Sequence, residues 1–197
     1  MTRSLILAFL FTLTGPLVAG DAVAVPGSSA RFPQSVTMPI QGKPTTMTLT
    51  GAGLRTRFVF NVYAIGSYVA EGNKPRSAEE LAKLDTAKML YMVMERDVTG
   101  RDFIDALKSA MAKSEPSETF AAEFAQLSAA LGRNAAKKGD HVILTAMPTG
   151  ELRIQIVNKV ELTIKNPAFT RAIWGIYLGA KPIDGELKAA LASRLGS

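Results

Sequence analysis

The stretch GAGLRTRFVFNVYAIGSYV, residues 51–69, places two arginines inside a run of residues that favour β-strands. A guanidinium presents a rigid fork of donors that fits a carboxylate or a phenolate, so Arg55 is a candidate anchor for an anionic ligand. An arginine in a strand can equally be a solvated edge charge or one half of an internal salt bridge. The spacing alone leaves these interpretations of Arg55 open.

The two glycines before Arg55 do not form a phosphate-binding loop. A dinucleotide loop needs a third glycine and a helix that starts directly after it, whereas GAG at 51–53 leads into β-forming residues. The glycines instead favour a tight turn or a close approach of another backbone.

Metal and acid–base chemistry have little support in the residue types. The chain has one histidine, His141, and no cysteine, which argues against a zinc site and a histidine-activated nucleophile. We predict neither a metal ion nor a cofactor. Five carboxylates are candidates for acid–base catalysis by type alone, and solvated or helix-capping roles are the simpler interpretation of them: Glu79, Glu80, Glu95, Asp97 and Asp102. His141, beside Asp140, is interpreted as a turn residue.

The composition predicts one globular domain. Of 197 residues, 47% are hydrophobic and 20% are charged, which is enough apolar material for a sizeable core. The net charge of +6 could attract nucleic acid or an anionic membrane. The basic residues are scattered among acids, however, and no basic cluster is interleaved with aromatics, so we predict no nucleic-acid partner.

The first 24 residues resemble a secretory signal peptide. Arg3 precedes an apolar stretch that begins at Leu5, and small residues follow at the two predicted cleavage points, after Gly20 or after Ala24. The apolar stretch is interrupted and shorter than the roughly 20 residues of a membrane span. The pattern therefore predicts a periplasmic or secreted protein without stable membrane insertion after signal cleavage.

Strand signals dominate the first half of the chain. Short strands are predicted at 35–40 and 45–50, and one long strand over 54–66. Alternation along the long strand predicts two faces. The core face comprises Leu54, Phe58, Phe60, Val62 and Ala64, and the opposite face Arg55, Arg57, Val59, Asn61 and Tyr63.

Helix signals follow. Ser77 with Glu80 predicts a capped short helix, Thr99 a cap after a central strand at 88–98, and Asn166 a cap before Pro167. Another helix is predicted from near Ser117 to Gly132, a strand hairpin from 141, a further strand at 160–164, and a last helix from Ile183. This order predicts an α+β domain, a long antiparallel sheet with helices on one face.

Four segments carry a family resemblance: GAGLR at 51–55, YAIGSYV at 63–69, VTGRDF at 98–103 and NPAFTRAIWGIYLGAKPIDGELKAAL at 166–191. Their motifs and order resemble the chalcone isomerase superfamily over residues 33–196, in particular its secreted bacterial chalcone isomerase-like branch. The resemblance implies an open-faced β-sandwich with a cleft between the sheet and the helices.

The enzymes of that superfamily close a chalcone to a flavanone by an intramolecular Michael addition, and a cleft arginine holds the phenolate. Arg55 matches this arginine. Tyr63 stands where the enzymes have threonine, Phe103 where they have tyrosine, and Ala106 and Ala110 where they have lysine and asparagine. Because such a reaction needs donors aimed at developing charge, these replacements argue against it.

Non-catalytic relatives bind fatty acids, and they keep the arginine together with a tyrosine at the position of Tyr63. The resemblance thus implies a ligand site formed by Arg55, Tyr63, Phe103, Ala106 and Ala110. On one straight strand, however, Arg55 and Tyr63 would stand roughly 26 Å apart at about 3.3 Å per residue. They could share a carboxylate only if the strand curls or bulges.

Three hypotheses follow. The first is non-catalytic binding of a fatty acid or a similar apolar carboxylate, anchored by Arg55. The alternative is an isomerase, an intramolecular lyase acting on an enone. The third is an envelope protein that works through partner contacts with a filled cleft. The sequence predicts no oligomeric state.

Overall fold

The computed structural model describes residues 22–116 and 118–196. Nearly all of the predicted signal peptide lies outside these residues, and so does Ser117, near which a helix start is predicted. Within the described part of the chain, no helix is long and apolar enough to cross a membrane.

The strands in chain order are β1 (Val23–Ala24), β2 (Arg31–Phe32), β3 (Ser35–Ile40), β4 (Lys43–Arg57), β5 (Phe60–Ala70), β6 (Lys88–Met94), β7 (Val98–Thr99), β8 (Ala135–Ala136), β9 (His141–Ala146), β10 (Leu152–Ile156) and β11 (Val160–Ile164). The helices are α1 (Ala78–Lys83), α2 (Gly100–Met111), α3 (Ala121–Leu131), α4 (Pro167–Leu178) and α5 (Gly185–Leu191).

Seven strands form one antiparallel sheet in the order β11-β10-β9-β6-β5-β4-β3, so the predicted central strand, β6, is central. The five helices pack on one face of this sheet, where they share a core with alternate residues such as Ile65, Leu90 and Leu144. The predicted caps are present. Ser77, Thr99 and Asn166 accept hydrogen bonds from the first backbone amides of α1, α2 and α4.

The other face of the sheet is covered in part by the β1–β2 hairpin. Phe32 is fully buried there and its ring meets Tyr91 edge to face. A Cβ on Gly66, in the centre of β5, would lie 2.7 Å from the Phe32 ring, so this strand position has to be glycine. Cleavage after Ala24 would remove β1, whereas cleavage after Gly20 would leave it in place.

The predicted long strand at 54–66 is wrong, because the chain reverses at Phe58 and Val59 and returns as β5. Phe58 turns with a φ of 56°, and Phe58 and Phe60 are 89% and 61% exposed rather than part of the core. A two-residue turn without glycine or asparagine gives no local signal, and period-2 alternation looks the same in one strand as in two. A bulge opposite Arg55 and Thr56 turns Val62 toward the helices beside Tyr63.

The glycines of GAG lie inside β4 and allow a close backbone approach, which is one of the two expected roles. Helix α5 ends directly over them, and a Cβ on Gly51 would lie 2.1 Å from the carbonyl oxygen of Ala190. Thr50 Oγ1 donates to Leu191 O at 2.9 Å, and the backbone amide of Arg194 donates to Thr50 O at 2.9 Å. The C-terminal helix is thereby fixed onto β4.

Lys88 is a buried cation at the start of β6, with 2% of its surface exposed. Its Nζ donates to Leu81 O and Ala82 O at 3.1 and 2.8 Å, at the end of α1, and lies 5.4 Å from the centre of the Trp174 ring. Burial lowers the pKa of Lys88 to about 8. The lysine acts as a cap for the C-terminal end of α1.

We expect Gly51→Ala to lower the free energy of unfolding by about 3 kcal/mol or more, because the new methyl group would displace α5. Urea denaturation measures the change. Gly42→Ala is the matched control, since Gly42 has a φ of +76° with no atom near its Cβ position. That variant should lose only about 1–2 kcal/mol of unfolding free energy, which is the cost of holding an alanine backbone at a positive φ. Equal losses in the two variants would show that α5 does not restrict Gly51.

Lys88 should make stability rise with pH. Its pKa is lower in the folded than in the unfolded chain, so the unfolded chain binds more protons between pH 8 and pH 10 and folding gains about 2 kcal/mol across this window. Lys88→Met should remove that gain, as measured by urea denaturation at each pH. Lys83→Met, an exposed lysine in the last turn of α1, serves as the control and should keep the wild-type profile. Parallel profiles for wild type and Lys88→Met would contradict the prediction.

Candidate functional site

The β4–β5 hairpin brings Arg55 and Tyr63 together. They are direct partners in the antiparallel ladder, and such partners have Cα atoms about 5 Å apart. The separation of roughly 26 Å expected on one straight strand is therefore wrong, because the residues lie on two strands. The geometric objection to a shared ligand group at these two residues no longer holds.

Beside this pair lies an open cavity of about 590 Å³ between the sheet and α2. All five site residues predicted from the sequence line it. The sheet and the segment after β6 contribute Arg55, Arg57, Val62, Tyr63, Met94, Arg96 and Val98, and the helical side contributes Asp102, Phe103, Asp105, Ala106, Ser109, Ala110, Lys113 and Ile183.

Helix α2 positions the apolar residues of the cavity. Thr99 Oγ1 accepts from the backbone amide of Asp102 at 3.1 Å and fixes the start of the helix. Phe103, Ala106 and Ala110 then recur at helical spacing and lie along the side of α2 that meets the cavity. Phe103 is half-buried, Ala110 is buried and Ala106 is exposed.

Arg55 lines the cavity and also forms an internal salt bridge. Its Nη1 lies 3.2 Å from Asp184 Oδ2 and donates to Thr56 O, and 18% of its side chain is exposed. Asp184 is the N-cap of α5, where Oδ1 accepts from the amides of Glu186 and Leu187 at 3.0 and 3.1 Å. A guanidinium has five N–H donors, so these two contacts leave donors for a ligand.

The lining of the cavity is positively charged. Arg55, Arg57, Arg96 and Lys113 face two carboxylates, Asp102 and Asp105. Asp184, behind Arg55, adds a third carboxylate, and the cations still outnumber the anions. An anion would be attracted to this cavity by the sum of these charges as well as by Arg55 alone.

Tyr63 forms a buried hydroxyl pair with Tyr177 of α4, with 3.4 Å between the two oxygens. Burial raises the pKa of Tyr63, although the hydrogen bond with Tyr177 and the charge of Arg55 act in the opposite direction. Burial also raises the pKa of Tyr177 well above its usual value. Both hydroxyls therefore stay neutral at physiological pH, and Tyr63 is available as a hydrogen-bond donor and not as a base.

The carboxylates that were candidates by type have structural partners. Glu79 binds Lys188, Glu95 accepts from Ser28, and Asp97 lies 2.8 Å from Lys137 Nζ. Two others serve helix starts: Glu80 accepts from the amide of Arg76, and Asp102 from the hydroxyl of Thr99. His141 Nδ1 lies 2.8 Å from the Tyr91 hydroxyl, on the sheet face away from α2.

Within residues 22–116 and 118–196, no three carboxylate or histidine side chains lie close enough together to hold a metal ion.

Sequence reasoning missed several residues at the cavity, among them Arg57, Arg96, Lys113 and Asp184. Asp184 before GELKAAL is a recognisable N-cap, so its role at α5 could have been predicted. Its contact with Arg55 joins residues far apart in the chain, and no local pattern carries that information.

Comparison with known proteins is consistent with this architecture. The model of the family described as chalcone isomerase-like matches residues 28–193. A crystal structure of a fatty-acid binding protein from Arabidopsis thaliana matches with a TM-score of 0.61 at 17% identity, over 87% of this chain and 96% of that chain. A search of curated proteins gives no match. The structural match confirms the predicted α+β fold. At 17% identity it is evidence for the fold alone.

Asp184→Asn should raise the affinity of the cavity for an aliphatic carboxylate. Asparagine still caps α5, while the charge that competes for Arg55 is removed. A partly exposed ion pair contributes about 0.5–1 kcal/mol, so we expect about two- to fivefold tighter binding of a fluorescent fatty acid. Asp85→Asn, which changes the net charge equally beside Arg171, is the control and should bind as wild type does. If a fully folded Asp184→Asn variant binds the fatty acid no more tightly than wild type does, Asp184 does not compete with the ligand carboxylate for Arg55.

Proposed function

The chain belongs to the chalcone isomerase-like family, and from that premise we propose that it binds a fatty acid or a similar apolar carboxylate without transforming it. The carboxylate lies against the free donors of Arg55, and the alkyl tail extends along α2. The observation that carries this proposal is that one cavity is lined by Arg55 on the sheet and by Phe103, Ala106 and Ala110 on the helix.

The size and lining of the cavity support an amphipathic ligand. About 590 Å³ is within the usual range for small-molecule sites, roughly 300–1,000 Å³. Each methylene that leaves water contributes about 0.8 kcal/mol, so a long chain can bind tightly with one polar anchor. Tyr63 lies beside Arg55 with a neutral hydroxyl that can donate to the same carboxylate.

Binding is favoured over catalysis by three of the α2 residues that line the cavity. Phe103, Ala106 and Ala110 offer no side-chain donor, whereas the sequence resemblance implies polar groups at the matching positions of the superfamily's enzymes. Stabilisation of charge in a transition state requires donors fixed at the reacting atoms. The structural similarity to a protein named for fatty-acid binding supports the same choice.

We place this binding outside the cytoplasm, in the periplasm or in the medium, where the predicted signal peptide would deliver the mature protein. A carrier there would keep an apolar carboxylate in solution between membranes.

The anchor is tested with Arg55→Gln and a fluorescent long-chain fatty acid, next to the corresponding alcohol. Loss of a charge-assisted contact of about 1.5–3 kcal/mol should weaken binding of the acid about 10- to 100-fold and leave binding of the alcohol unchanged. Arg101→Gln removes the same charge from the part of α2 outside this cavity and should have no effect. The double variant Arg55→Gln/Asp184→Asn controls for the carboxylate left unpaired.

Two results would count against the proposal in different ways. If Arg55→Gln and wild type bind the acid equally well, Arg55 is not the anchor. If wild type binds neither the acid nor the alcohol, and mass spectrometry finds no lipid copurified with the mature protein, the cavity is not a fatty-acid site.

A further inference from the structure

The turn between β4 and β5 exposes three consecutive apolar residues, Phe58, Val59 and Phe60, which we call the apolar tip. Their exposed fractions are 89%, 85% and 61%. Elsewhere among the described residues, the one other exposed large apolar side chain is Val157, at only 37%. A contiguous exposed apolar patch on a soluble protein commonly marks an interaction site.

The backbone conformation of the tip does not favour bulky apolar residues. Phe58 has a φ of 56°, a conformation in which glycine or asparagine is favoured and a bulky residue is rare. Glycine or asparagine would therefore form this turn at lower cost. An aromatic ring at this position contributes little to the core, because 89% of its surface remains in contact with water.

Cationic side chains flank the tip. The guanidinium of Arg57 lies 5.8 Å from the centre of the Phe58 ring, and Arg57 also lines the cavity. Arg96 is exposed on the cavity wall next to the same strands. The carboxylate of Glu95, next to Arg96 in the chain, accepts a hydrogen bond from Ser28 and offsets one of these two positive charges. The tip therefore has apolar residues at its apex and a net positive charge at its base.

This arrangement matches an anionic lipid surface. A convex apex of three residues offers too small an area for a stable protein interface, which buries about 800 Å² on each partner. Aromatic and aliphatic side chains can instead enter the boundary between headgroups and acyl chains, while arginines contact anionic headgroups.

We infer that the apolar tip docks reversibly on anionic membranes, with Phe58, Val59 and Phe60 in the interface and Arg57 at the headgroups. Because Arg57 also borders the cavity, docking places the cavity at the membrane surface. This inference goes beyond the proposed fatty-acid binding and does not require it, since a lipid surface is recognised by the tip itself.

The experiment is co-sedimentation of the mature protein with vesicles of phosphatidylcholine, with and without phosphatidylglycerol, and with no fatty acid added. Wild type should bind vesicles that contain phosphatidylglycerol more tightly than vesicles of phosphatidylcholine alone. Added salt should weaken its binding to the anionic vesicles. Phe58→Asn/Phe60→Ser should bind at least about tenfold more weakly, since burial of even one of the two aromatic side chains contributes about a factor of ten. Val157→Ser, at the exposed turn before β11, is the matched control and should bind as wild type does.

A spectroscopic measurement separates insertion from adsorption. Trp174 is fully buried, so Phe58→Trp adds one exposed indole whose emission can be followed. Anionic vesicles should shift this emission to shorter wavelength, and lipids brominated on their acyl chains should quench it.

The inference is overturned if wild type does not bind anionic vesicles, or if the double variant binds them as well as wild type. It is also overturned if the tip variants abolish a concentration-dependent dimer seen without lipid, because the tip would then pair with a second copy. Vesicle binding that persists in Arg55→Gln, while fatty-acid binding is lost, would show that the two sites are separate.

Discussion

The close contact between α5 and β4 is the constraint on which the cavity depends. Gly51 leaves room for the carbonyl of Ala190, and Thr50 binds the end of the helix through its hydroxyl and its carbonyl. With its end fixed, the start of α5 lies at Asp184, and Asp184 reaches Arg55 at 3.2 Å. The position of the candidate anchor thus follows from a packing requirement four residues earlier on the same strand.

The salt bridge gives Arg55 two functions that compete. Asp184 holds the guanidinium in one orientation, which lowers the entropy that a ligand would otherwise have to remove. The same carboxylate offsets part of the positive charge that an anion would feel. The other cations around the cavity, Arg57, Arg96 and Lys113, keep the local potential positive despite this neutralisation.

Much of the fold could be predicted because its signals are local. The caps at Ser77, Thr99 and Asn166 and the apolar run of β6 each act within one turn or one strand. The reversal at Phe58 could not be predicted, because two exposed apolar residues form the turn and the alternation continues through it. Resemblance to a family identified five residues that all line one cavity, whereas the partner Asp184 required the three-dimensional contact between α5 and β4.

The bond between Thr50 and Leu191 also has a consequence for the timing of folding. It joins residues 141 positions apart, whereas the hairpin of β4 and β5 pairs residues separated by a short turn. Contacts of such long range form late, because a large loop has to be closed before they contribute. As the chain folds, the sheet can begin to assemble from its hairpins, but the cavity lacks its final support until the segment up to Leu191 has docked on β4. A chain truncated before that point would present the Arg55 strand without its C-terminal helix.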